Sequence, residues 1–320
     1  MSDVSDLGPV PTIESTGGTV EFPKMADGVR IRIATFPAPA GGTAGTILML
    51  TGFTEFIEKG LESIAALRAR GYGVVTFDWR GQGLSDRLLP HRRKGHISDM
   101  QHFLNDLEEV LRVTRFAELP GPRVIMGHSM GGHLALRAVH DHPDLFERAV
   151  LCAPMADILT GTWPRMFAYG LAKTAVRLGL GDCFIPGAGP YVSGQMRYEN
   201  NPLTTDKARF DRIHEQIALN PNVALGGPTF AWVYSAFRSI RLVKRPSYLS
   251  QIRIPVLILS AGLEKIVSNA GQREVAAMLP DARLVEFGLD RDRPVPCGIR
   301  HNLNSFAYSR GVHWRWGMIR

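Results

Sequence analysis

The chain reads as an α/β protein: a mostly parallel, doubly wound sheet interrupted by a block of helices. Three observations predict this. Short apolar runs of strand length alternate with helix-length amphipathic stretches over most of the 320 residues. The alternation stops at about residue 155, gives way to helical patterns alone, and resumes near residue 250. Finally, one apolar run ends in Gly-His-Ser-Met-Gly-Gly and passes at once into a helix. Strands separated by helices pair in parallel under helices on both faces, and ligand chemistry then gathers at their carboxyl ends.

Taken in order, a polar leader precedes "VRIRIATF", whose alternation predicts a strand. A Pro/Gly loop, "PAPAGGTAG", leads into the buried strand "TILML". A helix near Glu58 to Arg70, the strand "GVVTFDW", a helix near Asp99 to Arg115 and the strand "RVIMG" follow, then the helix after Ser129 and the strand "RAVLCAP". Beyond Met155, "GTWPRMFAYGLAKTAVRLGLG" and "TFAWVYSAFRSIRLV" read as amphipathic helices without a strand between them. Their aromatic and aliphatic residues are expected to pack this block onto the core or to line an acyl pocket. "IPVLILS" restores the strand pattern, with a helix from about Asn269 to Leu279 and the strand "ARLVEF" after it. The expected division is 1–154 for the first part of the sheet domain, 155–249 for a helical cap, 250–287 for the second part and 288–320 for a tail. That tail has neither strand nor helix period, which marks an unusual functional excursion or an altered reading frame.

Composition narrows the function. With 45% hydrophobic and 21% charged residues the chain can bury a large core. Cys152, Cys183 and Cys297 stand far apart, so neither a disulfide framework nor a metal-ligand spacing is read, and no cofactor or metal is expected. The first residues lack a basic start and an apolar core, and no apolar run reaches membrane-spanning length, which leads to the expectation of a cytoplasmic protein, at most peripheral to the inner face of a membrane. The net charge of +7 suits an anionic surface or acidic substrate, although six arginines and two aspartates place +4 of it in residues 288–320. No basic stripe interleaved with aromatics points to nucleic acid, and "HRRKGH" reads as a solvated loop cluster.

The chemistry centres on Ser129. A G-x-S-x-G turn between strand and helix holds its serine in a strained conformation and exposes the hydroxyl above the sheet, with Gly127 and Gly131 leaving room for the bend. A serine hydroxyl needs a histidine base, a carboxylate to orient that base, and amide donors for the oxyanion. On this topology the order along the chain is serine, acid, histidine. Glu264, in the loop after the restored strand, is the candidate acid, and His301, which follows a glycine turn, is preferred to His313 as the base. The oxyanion donors are the backbone amides of Met130, directly after the nucleophile, and Phe53, in the loop after "TILML". His128 neighbours the serine, but adjacent side chains on such a turn point apart, so it reads as a packing or oxyanion-side residue.

The runs "GFTEFIEK", "DWRGQGLSDRLLPHRRKGHI", "GHSMGGHLALR", "LCAPM" and "EKIVSN" together resemble the bacterial lysophospholipases related to monoacylglycerol lipases, within the α/β-hydrolases, over about residues 25 to 287. The resemblance implies an α/β-hydrolase fold with an inserted helical cap, a Ser129–His301–Glu264 triad, an acyl-enzyme intermediate and hydrolysis of a lysophospholipid acyl ester. Its implied partner is a lipid-like ester, with peripheral membrane contact allowed and the oligomeric state left open. Two other readings stay open beside it: a monoacylglycerol lipase or general carboxylesterase using the same triad, and a hydrolase-fold protein made inactive by its atypical tail.

Overall fold

The structure is a computed structural model that describes residues 10–42, 44–161, 163–201, 204, 206–262 and 264–287. One sheet of eight strands runs through it: β1 (Thr19–Glu21), β2 (Ile33–Phe36), β3 (Gly45–Leu50), β4 (Tyr72–Phe77), β5 (Arg123–His128), β6 (Arg148–Cys152), β7 (Val256–Ala261) and β8 (Ala282–Phe287). Their spatial order is β1-β2-β4-β3-β5-β6-β7-β8. The pairs β1–β2 and β2–β4 are antiparallel, and every later pair is parallel.

The helices explain the parallel register. Between strands lie α1 (Leu61–Arg68), α2 (Gln101–Val113), α3 (Met130–Asp141) and α8 (Asn269–Met278). All six residues of β3 are buried, and so are all six of β7, because helices cover both faces of the sheet. The faces divide by the strand period of two. Leu48, Leu50 and Ile125 join one core with α2 and α3, whereas Ile47, Met49, Val124 and Met126 join the other with Leu61 and Ile64 of α1.

Between β6 and β7 the chain forms α4 (Arg165–Arg177), α5 (Lys207–Leu219), α6 (Phe230–Val243) and the short α7 (Pro246–Leu249), with no strand among the described residues. This is the inserted helical cap. Helix α6 seats it, burying Trp232, Ala236, Phe237 and Ile240. Thr229 accepts the Trp232 amide and caps the start of α6.

One sequence expectation changes. The run "VRIRIATF" yields only a four-residue strand, and Arg32, just before it, is buried in an ion pair with Asp78 at 2.7 Å and another with Glu58. The "HRRKGH" loop keeps His91, Arg92 and Arg93 exposed and also ties down the cap: Arg93 donates to the Tyr191 carbonyl, Gly95 to Gly227, and the His96 ring lies 3.0 Å from the Thr229 hydroxyl. A polar cluster becomes a fastener when backbone carbonyls of another element face it.

Candidate active site

Ser129 occupies the single position between β5 and α3, at φ 50° and ψ −114°. A non-glycine residue in this region is strained, and it persists only where its surroundings fix it. Here they do so through the backbone. The Ser129 amide donates to Cys152 O at 2.9 Å, and the Ser129 carbonyl accepts from His133 and Met155 at 3.1 and 2.9 Å. A Cβ on Gly127 would stand 2.4 Å from Gly131 O, and one on Gly131 would stand 2.4 Å from Leu50 O and 2.5 Å from Thr51 O. The turn is therefore pressed directly against the end of β3. Among the described residues four non-glycines adopt positive φ, and three of them, Thr54, Ser129 and Ala153, lie in the loops that follow β3, β5 and β6.

The loop after β3 is braced at nearly every residue. Trp79 Nε1 donates to Thr51 O at 2.9 Å. The Gly52 amide donates to Glu55 Oε2, the Thr54 amide to Gln82 Oε1 at 2.6 Å, and the Ile57 amide to Asp78 Oδ1 at 2.9 Å. Asp78, Trp79 and Gln82 all come from the run "DWRGQ", so this motif positions the loop without entering the chemistry itself. Among the described residues no acceptor meets the amides of Phe53 or Met130. These are the two donors that the sequence selects.

Glu55 joins the loop to the elbow. Its carboxylate lies 3.1 Å from His128 Nδ1 and 2.5 Å from Lys59 Nζ. Burial alone would raise the Glu55 pKa, but Lys59 and His128 hold the carboxyl well below its ordinary value. His128 thus packs against the Phe53 loop through Glu55. Glu55 and Lys59 were not found as site residues by sequence reasoning. The one signal available was a charged pair at i and i+4, which is far more common on solvated helices.

Glu264 is half-buried in the loop between β7 and α8. The loop is anchored on both sides. Asn269 Nδ2 donates to Ser260 Oγ at 2.6 Å and to Ala261 O at 2.8 Å, while Ile158 and Val267 form a bridge from the start of the cap. The Gly262 amide donates to Phe287 O at 2.8 Å, which ends β8 beside the foot of the same loop. His301, fourteen positions on from Phe287, lies outside the described residues, as do His313 and Cys297. The structure therefore brings together Ser129, Met130 and the Phe53 loop, and carries Glu264 on the loop after β7, two strands along the sheet from β5.

Beyond Phe53 a cavity of about 480 Å³ opens under the cap. Phe56, Met196, Phe210, Ile213 and Leu225 give it apolar walls, and Lys59 and His214 stand among them. Phe53 itself packs on Trp232 of α6 with ring centroids 4.5 Å apart, so the loop and the cap share one wall. No group of three or more His, Cys, Asp or Glu suited to a metal ion occurs among the described residues.

Sheet order, strained elbow and helical cap together define an α/β-hydrolase. The sequence comparisons agree: the Hydrolase_4 family, described as "Serine aminopeptidase, S33", matches residues 41–287, and the chain belongs to it. The chain is 30% identical over 246 residues to the "Probable lysophospholipase L2" of Haemophilus influenzae, covering 77% of this chain and 76% of that protein. It is 27% identical over 266 residues to the "Lysophospholipase L2" of Escherichia coli K12, covering 82% and 75%. Among solved structures, a soluble variant of monoglyceride lipase from Saccharomyces cerevisiae, in complex with a substrate analog, superposes with a TM-score of 0.65 at 20% identity, over 87% of this chain and 90% of that one. The chain is thus a carboxylic ester hydrolase of the lysophospholipase and monoglyceride lipase kind.

Proposed function

We propose that the chain hydrolyses the acyl ester of a lysophospholipid through a Ser129–His301–Glu264 triad. Ser129 Oγ attacks the ester carbonyl carbon while His301 takes the hydroxyl proton, and Glu264 orients the imidazole and stabilises its charged form. The negative charge that develops on the carbonyl oxygen is received by the amides of Phe53 and Met130. Collapse breaks the ester bond, the proton passes from His301 to the departing glycerol oxygen, and the acyl group stays on Ser129. Water then attacks the acyl-enzyme with His301 again as base, and free fatty acid leaves. No step needs a further reactant.

The observation that carries this reading is the conformation of Ser129: a strained serine locked by three backbone hydrogen bonds, directly before an amide without an internal acceptor. Lysophospholipid is preferred over monoacylglycerol because the relatives that span three-quarters of both chains are lysophospholipases. In sequence, the yeast monoglyceride lipase aligns over only 41% of this chain. The test compares kcat/KM for a lysophospholipid and a monoacylglycerol of the same acyl length, for wild type and Ser129→Ala. The expected result is preference for the lysophospholipid and a loss of about 10⁶ in turnover in the variant. More than a few per cent residual activity in Ser129→Ala removes the nucleophile assignment, while a tenfold preference for monoacylglycerol removes the substrate assignment.

A further inference from the structure

The wall of the cavity under the cap carries cations and no acid. Lys59, Arg197 and His214 stand in it, and among the described residues that line it there is neither aspartate nor glutamate. Each of the three arrives from a different part of the chain. Lys59 lies in the turn just before α1, Arg197 in the stretch between α4 and α5, and His214 on α5. The inward stripe of α5 reads Phe210, Ile213, His214 and Ile217, the i, i+3, i+4, i+7 spacing of one helix face. The acids of α5 lie off this stripe: Asp211 pairs with Lys207, and Glu215 is exposed. From Cys183 to Tyr198 the chain has no acidic residue at all. A pocket for a hydrocarbon chain alone gains nothing from cations, whereas polar groups set in apolar walls fix the orientation of a ligand that has a charged part.

The donors that remain define the ligand. Lys59 Nζ meets Glu55 at 2.5 Å, and an ammonium has further hydrogens to donate. His214 Nδ1 donates to Phe210 O at 2.8 Å, since a carbonyl only accepts, which leaves Nε2 for another partner. An anion beside that ring favours the imidazolium, whose Nε2–H then donates to it. Arg197 is exposed, and among the described residues no carboxylate lies within ion-pair distance of its guanidinium. Position narrows the choice further. Glu55, which Lys59 holds, also accepts the Gly52 amide, so the cationic wall begins beside the loop that carries the Phe53 amide. In a lysophospholipid one glycerol separates the phosphate from the scissile ester, so a phosphate falls close to that loop. A monoacylglycerol has no anion there.

We propose that Arg197, His214 and Lys59 form a phosphate subsite for the head group of a lysophospholipid. The Arg197 guanidinium and His214 Nε2 take most of the phosphodiester charge, because Lys59 shares its own with Glu55. The subsite rests on the lysophospholipid reading and gives it a cause, since it rewards a phosphate over a free glycerol hydroxyl. Its test reads binding without turnover, so either can fail alone.

The full chain is titrated calorimetrically with two short-chain ether lipids that have no ester to cleave, the alkyl analogues of lysophosphatidylglycerol and of monoacylglycerol, each below its micelle concentration. The phosphate probe is expected to bind about tenfold more tightly or better. Arg197→Ala with His214→Gln should remove that advantage, and Arg197→Lys, which keeps the charge and loses the planar fork, should retain part of it. A cooperative melt near that of wild type certifies the double variant. Should it unfold, Arg197→Ala alone, at an exposed position, should cut the advantage by about threefold. Equal affinity of wild type for the two probes, an unchanged advantage in the variants, or inorganic phosphate that binds as tightly as the lipid overturns the proposal. Tighter binding of the phosphate probe together with faster turnover of monoacylglycerol supports the subsite and removes the lysophospholipid substrate assignment.

Discussion

Helices α3 and α4 are nearly equal in length, twelve and thirteen residues, yet they treat apolar side chains in opposite ways. Ten consecutive residues of α3, Met130 to Val139, are buried, whereas α4 buries two alanines and exposes its large residues. The cause is how each helix is tethered. One residue separates α3 from β5, and glycine contacts press its first turn on the ends of β3 and β6, so sheet and cap enclose it from every side. Helix α4 has no such tether, and its alanines let it approach α6 while its outer side stays available. A helical period announces that a face exists, and chain connectivity decides what that face meets.

The contrast breaks most sharply under truncation. Leu134 on α3 is fully buried, so Leu134→Ala should cost about 2–5 kcal/mol in chemical denaturation, whereas Leu178→Ala should stay within about 0.5 kcal/mol. Equal losses would mean that α4 is covered in solution. Adding a methyl group sharpens it further. Gly131→Ala forces a Cβ onto two backbone carbonyls that cannot yield, and displacing the elbow by about an ångström should lower kcat by about 10²-fold. Ester hydrolysis with a soluble substrate measures this.

His133 extends the comparison to pH. Burial, helped by the Arg137 charge, lowers its pKa to about 3, and its Nε2 meets Ser239 Oγ at 2.7 Å. The unfolded chain takes up this proton near pH 6.5 and the folded chain does not until about 3. Between these values the unfolded state binds more protons, so stability falls as the pH falls, with a slope approaching about 1.4 kcal/mol per pH unit. His133→Gln should flatten that part of the profile in urea titrations, while charge changes on the outer side of α4 should leave it alone. The smallest effect has the opposite sign. Gly170 in α4 has open space around its Cβ position, so Gly170→Ala should stabilise by about 0.5–1 kcal/mol, read as a small rise in Tm.

Much of this was legible in the sequence. The strands β3 to β7 follow the apolar runs because both faces of a parallel sheet demand them, and the Ser129 turn declares itself through small residues that no other geometry there requires. The bracing of the Phe53 loop was not legible. Asp78, Trp79 and Gln82 act on a segment more than twenty positions earlier, and nothing local in "DWRGQ" says which amides they reach. Glu55 escaped notice for the same reason, since its partner His128 is 73 positions away. The outward stripe of α4 was legible as a period but not in direction, because alanine and leucine both satisfy an apolar pattern and only packing distinguishes them.

The central claim is that Ser129 is an activated nucleophile, and active-site labelling tests it most directly. The folded full-length chain is treated with a serine-directed fluorophosphonate, digested and mapped by mass spectrometry. The account predicts one adduct, on Ser129, absent from Ser129→Ala and strongly slowed in His301→Ala. An unlabelled Ser129 in protein that melts cooperatively, or an adduct on another serine, contradicts it.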